Sequence, residues 1–185
     1  EQPSPAALRE AIRDVIRHCI HGMDLNPLAV ELCKVALWLE AHVPGQPLSF
    51  LDHRIKCGNA IVGLAHRSEL QRGIPDEAFK TLPGDDKEIA ASLRKRNKDE
   101  RKGFQSLPFA GRVEQDIAAL DRAYRDFENT EERDAADYYH RREEYEKFRS
   151  DLRLRNLRLL ADAQVAQFYL PKTLEYDGKH VTHDL

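Results

Sequence analysis

Two residues of this chain carry side chains and surroundings that can do chemistry, Asp24 and Asn59. Asp24 closes the short apolar segment 20–23 and is followed by Asn26-Pro27, a helix cap and a first-turn proline. In nucleotide-binding α/β folds, a carboxylate at the carboxyl end of a strand accepts both hydroxyls of a ribose. Each such charge-assisted bond contributes on the order of 1.5–3 kcal/mol in a partly dry site. Gly22 leaves the approach uncrowded. Equally, Asp24 and Asn26 could do no more than satisfy backbone N–H groups at the helix start. Asn59, in Cys57-Gly58-Asn59, has two readings as well. Its amide can donate to and accept from an adenine edge, or it can occupy a turn in the left-handed conformation. A strand-end acid and a Gly-Asn turn 35 residues later would place both side chains at neighbouring sheet ends, facing one nucleoside.

A second set of residues is basic. Arg94, Lys95, Arg96, Lys98, Arg101 and Lys102 crowd one segment and could contact phosphates. They are interrupted by Asp99 and Glu100, which suits a solvated helix face equally well. The net charge of −3 argues against a generally basic nucleic-acid binder. The three cysteines, Cys19, Cys33 and Cys57, have no metal-binding spacing and are expected as reduced thiols in the core. Zinc on Cys19, His18 and His21 is rejected, because alternating side chains on a strand split the ligands between two faces.

The elements that position these residues fall into two regimes, which meet near residue 64. The first carries the compact apolar pattern. Ser4-Pro5 opens a helix along Leu8, Ile12, Val15, Ile16 and Cys19. Residues 20–23 suit a buried parallel strand. Residues 28–41 form a helix whose Leu28, Leu32, Val35, Ala36 and Leu39 make the apolar stripe, and Pro44-Gly45-Gln46-Pro47 ends it. Residues 48–51 and 54–57 are strands or irregular segments.

The second regime is polar and helical, with a loop over 74–86 and a charged helix over 86–102. A stripe follows along Val113, Ile117, Leu120, Tyr124 and Phe127. A further helix from 131 to about 170 presents Tyr138, Tyr145, Phe148 and Leu152. The expectation is an antiparallel hairpin over 113–170 that projects from the α/β part, with a loose tail after 170. No stretch is apolar for long enough to span a membrane, and no signal peptide is recognisable. An opening of Glu-Gln-Pro-Ser-Pro suits a segment cut from something longer.

The stretch Met23-Asp-Leu-Asn-Pro-Leu-Ala-Val-Glu-Leu32, then Phe50-Leu-Asp-His53, then Cys57-Gly-Asn-Ala60, resembles the large adenine-specific DNA methyltransferases of restriction–modification and related phage-defence systems. Some of these are methylase–nuclease fusions of the type II kind. The region Arg94-Lys-Arg-Asn-Lys-Asp-Glu-Arg101 extends the likeness, which covers most of the chain. The resemblance implies a mainly α chain with a small α/β part. It would be a partial Rossmann-like segment of a class I methyltransferase (1–63), then a loop and charged helix (64–112), a helical-hairpin insertion (113–170) and a tail (171–185).

The resemblance also implies S-adenosylmethionine as cofactor, with Asp24 on its ribose and Leu25 beside its adenine. Asn59 stands where many relatives place an aspartate on the adenine amino group, which keeps an acceptor and loses the charge. Arg94, Arg96, Lys98 and Arg101 would face DNA. The glycine-rich loop for the methionine end of the cofactor and the Asn-Pro-Pro-aromatic motif for the flipped adenine are both expected outside this segment. The segment alone is therefore expected to be inactive, with a cytoplasmic, DNA-modifying parent and no metal. The alternative is a non-catalytic helical module that binds a protein or a DNA backbone.

Overall fold

The computed structural model describes residues 4–104, 109–130 and 132–182, with the side chains of all of these but 103–110. The chain is mainly helical, 63% helix, with a small two-stranded parallel sheet. It divides into two compact units, Glu1–Ile61 with Arg122–Ser150, and Val62–Asp121 with Asp151–Leu185.

The first unit begins with α1 (Pro5–His18), where the Ser4 hydroxyl accepts from Ala7 N–H and Pro5 occupies the first turn. Strand β1 (Gly22–Asp24) follows, then α2 (Pro27–Glu40), capped by the Asn26 side chain on Leu28 N–H. Strand β2 (Ile55–Cys57) lies parallel to β1, in the register Gly22 to Ile55 and Asp24 to Cys57. The result is a β-α-β unit.

Its core is Ile16, Val30, Ala41, Leu51 and Ile55, with Ile12, Leu37 and Trp38 packed around it. This corrects the expected α2 stripe. The face turned inward carries Val30, Lys34, Leu37 and Trp38, whereas Leu28, Leu32, Val35 and Leu39 are exposed. The helix is apolar on almost every side, so periodicity alone could not say which stripe faces in. Leu8 and Val15 of α1 are exposed as well. β1 starts two residues later than expected and is not buried, since Met23 is about half exposed. Residues 48–51 form no strand.

The same unit includes the end of α5 (Phe109–Glu128) and α6 (Ala135–Arg149). Asp134 caps α6 in a reciprocal capping box with Asp137. Tyr124 and Phe127 meet Tyr138, Tyr145 and Phe148, as the two arms of a hairpin would. Phe50, preceding β2, lies at the centre of this cluster, edge-on to Phe127, Tyr138 and Tyr145 at 5.5–6.2 Å. These helix segments are therefore packed onto the α/β part and do not project from it. The expected long arm 131–170 is also two helices, because Asp151 caps a new helix, α7 (Leu152–Tyr169), through Arg153 N–H. Leu152 is exposed and takes no part in the stripe.

The second unit contains α3 (Ser68–Arg72), α4 (Lys87–Phe104), α7 and the first part of α5. The expected loop 74–86 supplies its core: Ile74, Ala78 and Phe79 are buried against Leu93 and Val181, on a 3-10 turn over Asp76–Phe79. The described part of the tail, 171–182, is anchored and not loose. Lys172, His180 and Thr182 are buried, and the Lys172 N–H donates to Asp85 Oδ1 at 2.9 Å. Burial acts to raise the Asp85 carboxyl, but bonds from Leu82 N–H, at 2.9 Å, and Lys172 N–H outweigh it and hold it below its usual range.

Candidate functional site

At the carboxyl end of the parallel pair, Asp24 and Asn59 come to adjacent strand ends. Gly58 N–H donates to Asp24 O at 2.9 Å, which carries the ladder one step past Cys57, and Asn59 is the next residue. Both side chains are exposed. Asp24 Oδ1 accepts from Asn26 N–H at 2.7 Å. The helix-cap role belongs to Asn26, whose own Oδ1 takes Leu28 N–H at 3.0 Å. Asp24 thus fixes its own turn with one oxygen and presents the other outward. Asn59 Oδ1 accepts from Ile61 N–H at 2.9 Å, and no bond from its amide N–H groups is found among the described residues.

No described non-glycine residue has positive φ, so Asn59 does not adopt the left-handed conformation named as one of its readings. The side-chain bond to Ile61 shapes the turn instead. Leu25, 69% exposed, lies next to Asp24, and Ile61 is exposed beyond Asn59. Cys57 Sγ approaches Leu25 O at 3.5 Å. A β-carbon at Gly22 would touch only Ile55 Cδ1, at 3.4 Å, so this glycine is not needed to keep the approach open. The arrangement offers one carboxylate oxygen, one amide and apolar surface on a single edge, a donor–acceptor set suited to a sugar and a base.

All three cysteines are free and exposed, which corrects their expected place in the core. No group of three metal-ligating side chains occurs among the described residues.

At the opposite, amino end of the strand pair lies an ionic node centred on the buried Arg54, a residue for which the sequence suggests no role. Arg54 donates to both oxygens of Glu128 at 2.9 Å, to His18 O at 2.8 Å and to His53 Nε2 at 3.0 Å. His21 Nε2 lies 3.0 Å from the same guanidinium. Four polar groups, one each from α1, the α1–β1 turn, the β2 approach and α5, therefore converge on one side chain. Burial, then the nearby Arg54, Arg141, Lys56 and His21, push the His53 imidazole down to about 3. Burial and then Glu128 push the Tyr124 hydroxyl up to about 12. On the inward face of α2, burial opposes the Lys34 charge, but hydrogen bonds to Asp52 at 2.7 Å and Glu31 at 2.6 Å outweigh it and raise its pKa. No local pattern around Asp52-His53-Arg54-Ile55 marks this node, because its carboxylate partner lies 74 residues away.

The basic cluster lies on α4, in the second unit. Arg96 pairs with Glu100 at 2.6 Å, and Arg101 pairs with Asp76. Arg94 and Lys98, one turn apart, are exposed, and no ion pair to either is found among the described residues. Of the four expected DNA contacts, two are therefore engaged within the chain.

The chain matches no known protein family, no curated protein and no solved structure.

Proposed function

We propose that this chain is the middle segment of an S-adenosylmethionine-dependent DNA adenine-N6 methyltransferase of a restriction–modification or phage-defence system. It carries the ribose and adenine side of the cofactor site. One observation supports this reading most strongly. An exposed carboxylate, Asp24, ends the first strand of a β-α-β unit, and Asn59 follows two residues after Cys57, the partner of Asp24 in the parallel register. In open parallel sheets this carboxyl edge is where nucleotides bind.

Asp24 would accept the ribose hydroxyls, Leu25 would cover one face of the adenine, and the Asn59 amide would meet its edge. The cofactor supplies an electrophilic methyl group when bound. These three residues would only hold and orient it. The methionine grip and the grip on a flipped base fall to motifs not found in these 185 residues, so the segment alone transfers no methyl group. Arg94 and Lys98 are the residues still available for DNA phosphates.

Calorimetry on the whole enzyme tests the proposal. Asp24→Ala should cost roughly 2–4 kcal/mol in cofactor affinity, because two ribose bonds are lost together. A change below about 0.5 kcal/mol would reduce Asp24 to a turn former. Methyl incorporation by the isolated segment would refute the assignment of the missing motifs.

A further inference from the structure

The outer face of α2 is an apolar seam without a partner. Leu28, Leu32, Val35 and Leu39 are 64%, 60%, 45% and 74% exposed, although the helix's other face is already packed in the core. Their spacing of four, three and four residues is that of a heptad seam, and helices apolar on all sides are normally covered. One flank is small, Ala29 and Ala36, and the other carries Glu31 and Trp38, so a second helix could approach over the alanine side to about 8–10 Å. Together the four residues expose on the order of 400 Å² of apolar surface, within the range that marks interaction sites on a monomer.

We propose that this seam pairs with the same seam of a second copy, the two α2 helices running antiparallel about a twofold axis. About the midpoint between Cys33 and Lys34, Leu28 falls opposite Leu39 of the second copy, and Leu32 falls opposite Val35. Glu31 falls opposite Ala36, so no like charges meet. Glu31 is already neutralised by Lys34 at 2.6 Å. With its flanks, the pairing buries on the order of 1,000–1,200 Å² in total, close to the lower bound for a specific interface.

Nothing in the seam selects a charged partner. The exposed acids at its border, Glu31 and Glu40, disfavour an anionic lipid surface, for which basic residues would be needed. Antiparallel packing also opposes the two helix dipoles. The pairing goes beyond the cofactor reading and does not depend on it.

Sedimentation equilibrium of the 185-residue chain is the test. The chain should dimerise with a dissociation constant in the tens of micromolar, roughly. Leu32→Glu should weaken this at least about 100-fold with the far-ultraviolet circular dichroism unchanged, each change counting twice across the twofold axis. Leu28→Glu and Leu39→Lys should each give monomers. The two combined should recover roughly tenfold or more in affinity, because antiparallel pairing sets the introduced carboxylate against the introduced ammonium. A wild-type chain that stays monomeric at about 200 μM, well above that constant, would overturn the proposal. So would a dimer indifferent to Leu32→Glu, or a double variant without recovery.

Discussion

Lowering the pH from 7 to 5 should weaken the first unit through one side chain. His53 is 4% exposed and stacks on Phe50 with ring centroids 5.6 Å apart, edge-on to Phe127 at 5.2 Å. Its Nδ1 has no hydrogen-bond partner. Burial, aided by the charges of Arg54, Arg141, Lys56 and His21, holds the folded imidazole at about 3, against an ordinary value of 6.5. Between these values the unfolded chain takes up a proton and the folded chain does not, so stability rises with pH across the window. The contribution is fully present above 6.5 and is lost as the pH falls towards 3. Each pH unit is worth about 1.36 kcal/mol, so the loss at pH 5 is roughly 2 kcal/mol.

The single tryptophan, Trp38, donates to Ser49 O at 2.7 Å within the same unit, and its fluorescence reports this unit during urea unfolding. The wild-type chain should lose roughly 2 kcal/mol more than His53→Phe between pH 7 and 5, because the variant keeps a ring and has nothing to protonate. Equal losses in the two chains, or an imidazole that titrates near 6.5 in the folded protein by NMR, would refute the reasoning.

Glu128→Gln should destabilise the same unit by about 3–5 kcal/mol, since it leaves the buried Arg54 guanidinium uncompensated; Arg54→Met should cost less, because the Glu128 side chain is 27% exposed to water. Replacing both with apolar residues should cost less than either single change in the same urea assay. Asp134→Ala should remove about 1 kcal/mol by deleting the α6 cap; an effect near zero by the Trp38 signal would mean that α6 is held by its aromatic contacts alone. If α4 touches DNA in the whole enzyme, reversing Arg94 and Lys98 should weaken binding similarly on all sequences. It should also flatten the salt dependence by about one unit per lost phosphate contact. Unchanged slopes would make α4 a solvated face.

Legibility in the sequence followed the locality of the signal. Ser4-Pro5 and Asn26-Pro27 set helix starts through bonds spanning two or three residues, and both starts occur where the residues place them. The parallel strand pair and the closeness of Asp24 to the 57–59 turn were also readable, because the punctuation between them leaves one helix-length crossover. Orientation was not. α2 presents apolar residues on two faces, and only long-range packing against Ile16, Leu51 and Ile55 selects Val30 over Leu32. The break at Ser150-Asp151 lay hidden in continuous helical periodicity, although a cap residue marks it. Residues 74–79 and 171–182 looked like loops because they are short, polar and punctuated by proline and glycine. Single side chains anchor them, Ile74, Ala78 and Phe79 in the first and Lys172, His180 and Thr182 in the second, through contacts distant in sequence for which no local pattern exists. The Arg54 node was invisible for the same reason, as Glu128 lies 74 residues away.

The cofactor reading rests on the edge formed by Asp24, Leu25 and Asn59. Amide NMR of the 185-residue chain, titrated with S-adenosylmethionine to about 10 mM, tests it most directly, because half a site should bind in the millimolar range. The shifts should concentrate at 24–26 and 57–60 and should vanish in Asp24→Ala. Shifts centred on α4 or α7, or an identical titration of Asp24→Ala, would contradict the assignment of this edge to the cofactor.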